Sequence, residues 1–179
     1  VDDCAQLTAM ALREHQTELD PAAVGAFGGS HGGFLGAWLA GHESHRALYR
    51  CVSLWNPVTN LNSMLGATEI PEWCTFEGLG RAWAGGSTGG SWPVSGDEVA
   101  ALHAASPISV VANVECSTQL VLGGSDRRVP PINGREWAAA LRARSHPVQV
   151  HEYPDDGHAL AGAEATAHAS VSIVHWLVE

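Results

Sequence analysis

Val24-Gly25-Ala26-Phe27-Gly28-Gly29-Ser30-His31-Gly32-Gly33-Phe34 constrains this chain more than any other stretch. Val24 to Phe27 is a short apolar run suited to a buried strand. Gly28, Gly29, Gly32 and Gly33 then surround a single serine, and an apolar, helix-compatible segment runs from His31 to about Gly41. Strand, G-x-S-x-G and helix, in that order, is the layout of a nucleophile elbow. The serine sits on a turn too tight for neighbouring side chains, and glycine removes the Cβ clashes. The helix aims its N-terminal amides at the place where an oxyanion forms. Taken alone, the pattern also fits a glycine-rich loop without chemistry.

The surrounding chain supplies the sheet that such a turn needs. Asp3 to Leu19 has helical spacing, with Leu7, Met10, Ala11 and Glu14 on one face, and Asp20-Pro21 ends it. Cys51 to Trp55 reads as a second buried strand, stopped at Asn56-Pro57, and Val58 to Leu65 as a short helix. Residues 66–96 are poor in pattern and read as an irregular surface excursion. Asp97 is a candidate N-cap for a helix over Glu98 to Ala105. Thr118 to Leu122 is a third strand, Pro131 to Arg144 a helix presenting Trp137 and Leu141, and Val148 to Tyr153 a fourth strand. Ala163 to Glu179 closes as a helix anchored by Val171, Val174 and Trp176. Buried apolar strands alternating with helices predict a parallel α/β sheet.

Composition removes several classes of function. A formal net charge of −10 on 179 residues disfavours nucleic acid and anionic membranes as partners. No run approaches the roughly 18 apolar residues of a membrane span. Cys4, Cys51, Cys74 and Cys116 are far apart without a C-x-x-C pair, which suits buried free thiols in a reducing cytoplasm better than a zinc or redox site. His42 and His45 form an H-x-x-H pair with no accompanying carboxylate motif and read as a solvated helix end rather than a metal site. No metal or other cofactor is called for. The chain opens at Val1 directly into a helix and reads as part of something longer.

In open α/β sheets, functional groups gather just past the carboxyl ends of the strands. Ser30 follows the first strand, Asp126 the third and His158 the fourth. The order Ser…Asp…His is that of an α/β-hydrolase triad. Serine is a poor nucleophile unaided; His158 would take its proton and return it to the leaving group, and Asp126 would orient the imidazole. The backbone N–H of His31 is a candidate oxyanion donor. Blander roles stand beside these: Asp126 could pair with Arg127 or Arg128 at the surface, and His158 could be a turn residue. Asp155 and Asp156 share a loop with His158 and read as loop formers.

Gly28-Gly-Ser-His-Gly-Gly-Phe34, Asp126-Arg-Arg-Val-Pro130 and Gly157-His158 together resemble the nucleophile, acid and histidine loops of the prolyl oligopeptidase family of serine peptidases. The segments Asn56-Pro57-Val58, Ser63-Met64-Leu65-Gly66, Ile70-Pro71-Glu72-Trp73-Cys74 and Ser106-Pro107-Ile108 are similar to its acylaminoacyl-peptidase branch. The resemblance implies release of N-acylated, usually N-acetylated, amino acids from the ends of short peptides. It also implies a homo-oligomer as the full-length protein. By the same resemblance Arg128 matches an arginine that holds a substrate carbonyl; an ion pair with Asp126 or another carboxylate is the equal alternative. The family's β-propeller, its early sheet strands and the loop bearing its other oxyanion donor have no counterpart here. The chain is therefore expected to be the C-terminal part of a single α/β-hydrolase domain spanning 1–179, with an unpaired sheet edge. Another peptidase or esterase of the same family, or an inactive fragment acting only by binding, are the competing expectations.

Overall fold

A computed structural model describes residues 1–80 and 95–178. Four strands, β1 (Gly25–Gly29), β2 (Cys51–Trp55), β3 (Ser117–Gly123) and β4 (Val148–Tyr153), pair in sequence order, and every pair is parallel. Parallel neighbours require a crossover between strands. Helix α2 (His31–Gly41) joins β1 to β2, and α6 (Ile132–Ala143) joins β3 to β4. Helix α7 (Ala163–Val178) follows β4, and α1 (Asp2–Glu14) precedes β1.

Strand alternation distributes the core over both faces of the sheet. Val52, Leu54, Leu120 and Leu122 point to one face and pack against Ala37 and Ala40 of α2 and Trp137, Ala138 and Leu141 of α6. Val121 points to the other face and packs with Ala169 and Ile173 of α7. On that second face Ser53 Oγ donates to Gln119 Oε1 at 2.7 Å, and Gln119 Nε2 donates to Ser172 Oγ at 2.8 Å. A buried polar chain thus docks α7, and the bonds offset the cost of placing these groups out of water.

The connection from β2 to β3 is longer. It holds α3 (Leu61–Leu65), α4 (Pro71–Leu79), α5 (Gly96–Ala104) and a 3₁₀ turn over Pro107–Asn113. These helices form a second small core in which Leu61, Met64, Cys74 and Leu102 pack with Phe34 of α2 and Val129. The expected irregular stretch over 66–96 is therefore corrected in part. Pro71 at the first helical position and Gly80 at φ 65° after the last turn delimit a regular helix. The remainder of that expectation, over 81–94, lies outside the described residues. The cap of α5 also differs: Ser95, not Asp97, accepts from Glu98 N, and Glu98 returns a bond to Ser95 N. This is a capping box, in which side chain and backbone satisfy each other's end groups.

Three further expectations shift. The first strand lies at the sheet edge rather than buried within it; Phe27 is 53% exposed. Among the described residues β1 pairs only with β2, as the expected open edge requires. Helix α1 stops at Glu14 because His15 O accepts from Glu18 and Leu19 in a turn, and Leu7 and Met10 face outward. In α7 the anchors are Ala165, Ala169 and Ile173, with Trp176 Nε1 donating to Val52 O; Val171 and Val174 are 70% and 61% exposed. All four cysteines are free thiols, and three are buried. Among the described residues no helix is long and apolar enough to cross a membrane.

Leu54 is fully buried between α2 and α6. Leu54→Ala is expected to cost about 2–5 kcal/mol in chemical denaturation. Arg142→Ala, on the exposed side of α6, should stay within about 0.5 kcal/mol.

Candidate active site

The parallel register brings all four carboxyl ends to one rim. Gly29 lies opposite Trp55, Trp55 opposite Val121, and Gly123 opposite Tyr153. Ser30, Asn56, Asp126 and His158 follow these ends. Ser30 sits at φ 57°, ψ −118°, a backbone conformation that costs an L-residue free energy. The turn is held because Ser30 N donates to Trp55 O at 2.8 Å and Phe34 N donates to Ser30 O at 3.0 Å. Two of the four glycines are sterically required. A Cβ on Gly28 would lie 2.1 Å from Gly32 O, and one on Gly33 would lie 2.8 Å from Pro57 Cα. A Cβ on Gly32 would meet nothing within 4 Å.

The structure brings Ser30, His158 and Asp126 into one hydrogen-bonded line. His158 Nε2 is 3.0 Å from Ser30 Oγ, and His158 Nδ1 is 2.6 Å from Asp126 Oδ2. With the proton on Nδ1 facing the carboxylate, Nε2 is left to accept from the serine hydroxyl. The Asp126 side chain is fully buried, and its other oxygen accepts from Arg128 N at 2.8 Å and Val129 N at 3.0 Å. Three bonds offset the desolvation of this carboxylate. The alternative, a surface pairing between Asp126 and an arginine side chain, does not form. The guanidinium of Arg128 pairs instead with Glu69, through Nε at 3.3 Å and Nη2 at 3.2 Å.

The backbone and the side chain of His31 face different surroundings. As the first residue of α2, its N–H has no acceptor inside the helix and lies next to the serine. Its imidazole turns away onto α4, 3.3 Å from Glu77 Oε1, stacked on Phe34 and edge-on to Trp73. Asp156 is a loop former, as expected: its Oδ1 accepts from Gly162 N at 2.8 Å. Burial pushes the thiols of Cys74 and Cys116 up to about 12, so neither is a rival nucleophile at neutral pH. Among the described residues no group of three or more His, Cys, Asp or Glu is placed to hold a metal ion.

Sequence reasoning missed the residue that wires these loops together. Asn56 is buried, with φ 41°. Its Nδ2 donates to His158 O at 2.9 Å and its Oδ1 accepts from Gly123 N at 2.7 Å. Trp55 Nε1 adds a second donor to His158 O at 3.3 Å. Asn-Pro signals a turn; the overlooked clue is that asparagine tolerates the left-handed backbone while offering both a donor and an acceptor. The acid and histidine loops also bond directly, Ser125 N to Asp156 O at 2.9 Å and Gly124 N to Tyr153 O at 2.8 Å. Asn56→Ala leaves the Gly123 N–H buried without its acceptor, so a loss of about 1–3 kcal/mol is expected in chemical denaturation. A change below about 0.5 kcal/mol would show that Asn56 does not hold the rim.

The family model for the prolyl oligopeptidase family matches residues 1–179. Similar relatives include the acylamino-acid-releasing enzyme of Homo sapiens, 36% identical over 170 residues, covering 90% of this chain and 21% of the relative. That of Arabidopsis thaliana is 33% identical over 166 residues, covering 91% and 21%. Among solved structures, Pyrococcus horikoshii acylaminoacyl peptidase superposes with a TM-score of 0.73 at 16% identity, over 94% of this chain and 25% of that one. A puromycin hydrolase gives 0.75 at 20% identity, over 98% and 24%. These likenesses establish the α/β-hydrolase fold. The chain spans about a fifth of the length of the curated relatives it matches. The parallel sheet and the match along the whole chain lead to one conclusion: this chain belongs to the prolyl oligopeptidase family.

Proposed function

We propose that this chain carries the nucleophile, acid and base of a serine peptidase that releases N-acylated amino acids from the N-terminus of short peptides. The hydrogen-bonded line from Ser30 through His158 to Asp126 is the observation that carries the reading. Similarity to acylamino-acid-releasing enzymes supports the substrate class.

The chemistry follows from the donors and acceptors. His158 Nε2 takes the Ser30 proton as Oγ bonds to the carbonyl carbon. Charge builds on the carbonyl oxygen, where the His31 N–H stabilises it; loss of one such donor typically costs on the order of 10²–10³ in turnover. The carbon–nitrogen bond then breaks, and His158 returns the proton to the departing amine. Water deprotonated by His158 attacks the acyl ester, freeing the N-acylated amino acid and restoring Ser30. Arg128 holds a substrate carbonyl beside this centre.

In the same reading the chain is the C-terminal part of one hydrolase domain. The open edge of β1 and the outward-facing Leu7, Met10, Phe27, Val171 and Val174 support continuation of the sheet and core by sequence beyond this chain.

A fluorophosphonate probe should label Ser30 in the intact protein. Ser30→Ala should abolish labelling and Asp155→Ala should preserve it. Wild-type protein that is folded yet unlabelled sinks the enzyme reading. Hydrolysis of N-acetylalanine p-nitroanilide well above that of alanine p-nitroanilide and of acetate esters is expected. The reverse preference would instead assign a dipeptidyl-peptidase or esterase.

A further inference from the structure

Glu69 stands outside the line of Ser30, His158 and Asp126, yet its backbone is bonded to the loop that carries Asp126. A solvent-exposed ion pair ordinarily contributes little, partly because two long side chains must be ordered to form it. Here the backbones are fixed first. Glu69 N donates to Arg127 O at 2.9 Å, and Thr68 Oγ1 donates to Arg128 O at 2.6 Å while accepting from Ile70 N at 3.1 Å. From the other side, Asp126 Oδ1 accepts from Arg128 N. The segment leading into α4 is thereby stapled to the acid loop, and the two side chains meet across the staple.

A guanidinium offers five N–H donors in a fixed plane. Glu69 Oε1 occupies the Nε side, accepting from Nε and Nη2. Neither contact uses Nη1. The carboxylate also opposes the arginine's charge at close range. An unopposed guanidinium attracts an anion by its full charge as well as by hydrogen bonds. One already facing a carboxylate keeps only the donors that the carboxylate leaves open, and its attraction for a second anion is partly offset, since that anion also meets the like charge of Glu69.

We propose that Glu69 is a specificity-determining residue that turns Arg128 from an anion receptor into a reader of neutral carbonyl oxygens. The proposal rests on the peptidase reading and on the place of Arg128 in the substrate surface. Its consequence is discrimination between substrate and product. The acyl and peptide carbonyls of an intact N-acylated peptide are neutral and are held. The N-acylated amino acid released by the reaction bears a carboxylate and is not retained.

The test compares inhibition of the intact protein by N-acetylalanine and by N-acetylalaninamide, two ligands that differ in charge. Active sites are titrated with a fluorophosphonate so that every rate refers to folded, reactive protein. The wild type should favour the amide. Glu69→Gln should shift the ratio of inhibition constants about three- to tenfold toward the acid. Glu69→Asp should keep it close to wild type. In the Glu69→Gln/Arg128→Gln double variant the shift should vanish. An unchanged ratio in labelled Glu69→Gln protein overturns the proposal. So does an equal change for both ligands, which is what a purely structural role produces. Wild-type protein that takes no label overturns the peptidase reading itself, and this proposal with it.

Discussion

Parallel pairing of four consecutive strands is the constraint on which the rest of this structure depends. It places every strand's carboxyl end on the same rim, so residues 128 positions apart in sequence, Ser30 and His158, come within a hydrogen bond of each other. It also obliges each connection to cross a face of the sheet, and these crossings supply α2 and α6, whose residues fill one core. Site and core therefore share one geometric origin. The helix that buries Ala37 and Ala40 is the one whose first N–H stands beside Ser30.

A rim of loops would be too mobile to hold such a line without further bonding. The fixing is done by groups that carry no reacting proton. Asn56 joins the end of β3 to the histidine carbonyl, Ser125 joins the acid loop to the histidine loop, and Asp126 is closed by two backbone N–H groups. Each bond removes a way for the imidazole or the carboxylate to drift, which is what preorganisation means physically. The α3–α5 excursion takes part as well. It lays Trp73 and Glu77 against His31 and ties Thr68 and Glu69 to the loop that carries Asp126, so the wall beside Ser30 is bonded to the Asp126 loop.

Where the sequence was legible, local rules and tertiary demand agreed. Ser30, Asp126 and His158 were readable as candidates because each lies in the loop that follows a strand, and the glycines around Ser30 announce a close approach that the backbone confirms at Gly28 and Gly33. Helix α4 was missed although Pro71 and Gly80 delimit it, because its short apolar stripe is broken by polar residues and sits in a glycine-rich neighbourhood. Two of the three expected anchors of α7, Val171 and Val174, were misassigned for a different reason. Valines stand out in a sequence, whereas alanine is what permits close approach of a helix to a sheet, and Ala165 and Ala169 take that role.

By itself the sequence determined the alternation of strands and helices, the glycine-flanked serine turn and the placing of Ser30, Asp126 and His158 in loops after strands, since each follows from periodicity, glycine placement and position after a strand. Only the tertiary structure decided which strand lies at the edge, which carboxylate Arg128 faces, and that Asn56 is the bridge between two loops. Those outcomes depend on which backbone groups are left without partners once the sheet has formed. A linear chain does not display that quantity; it exists only after distant segments have been brought side by side.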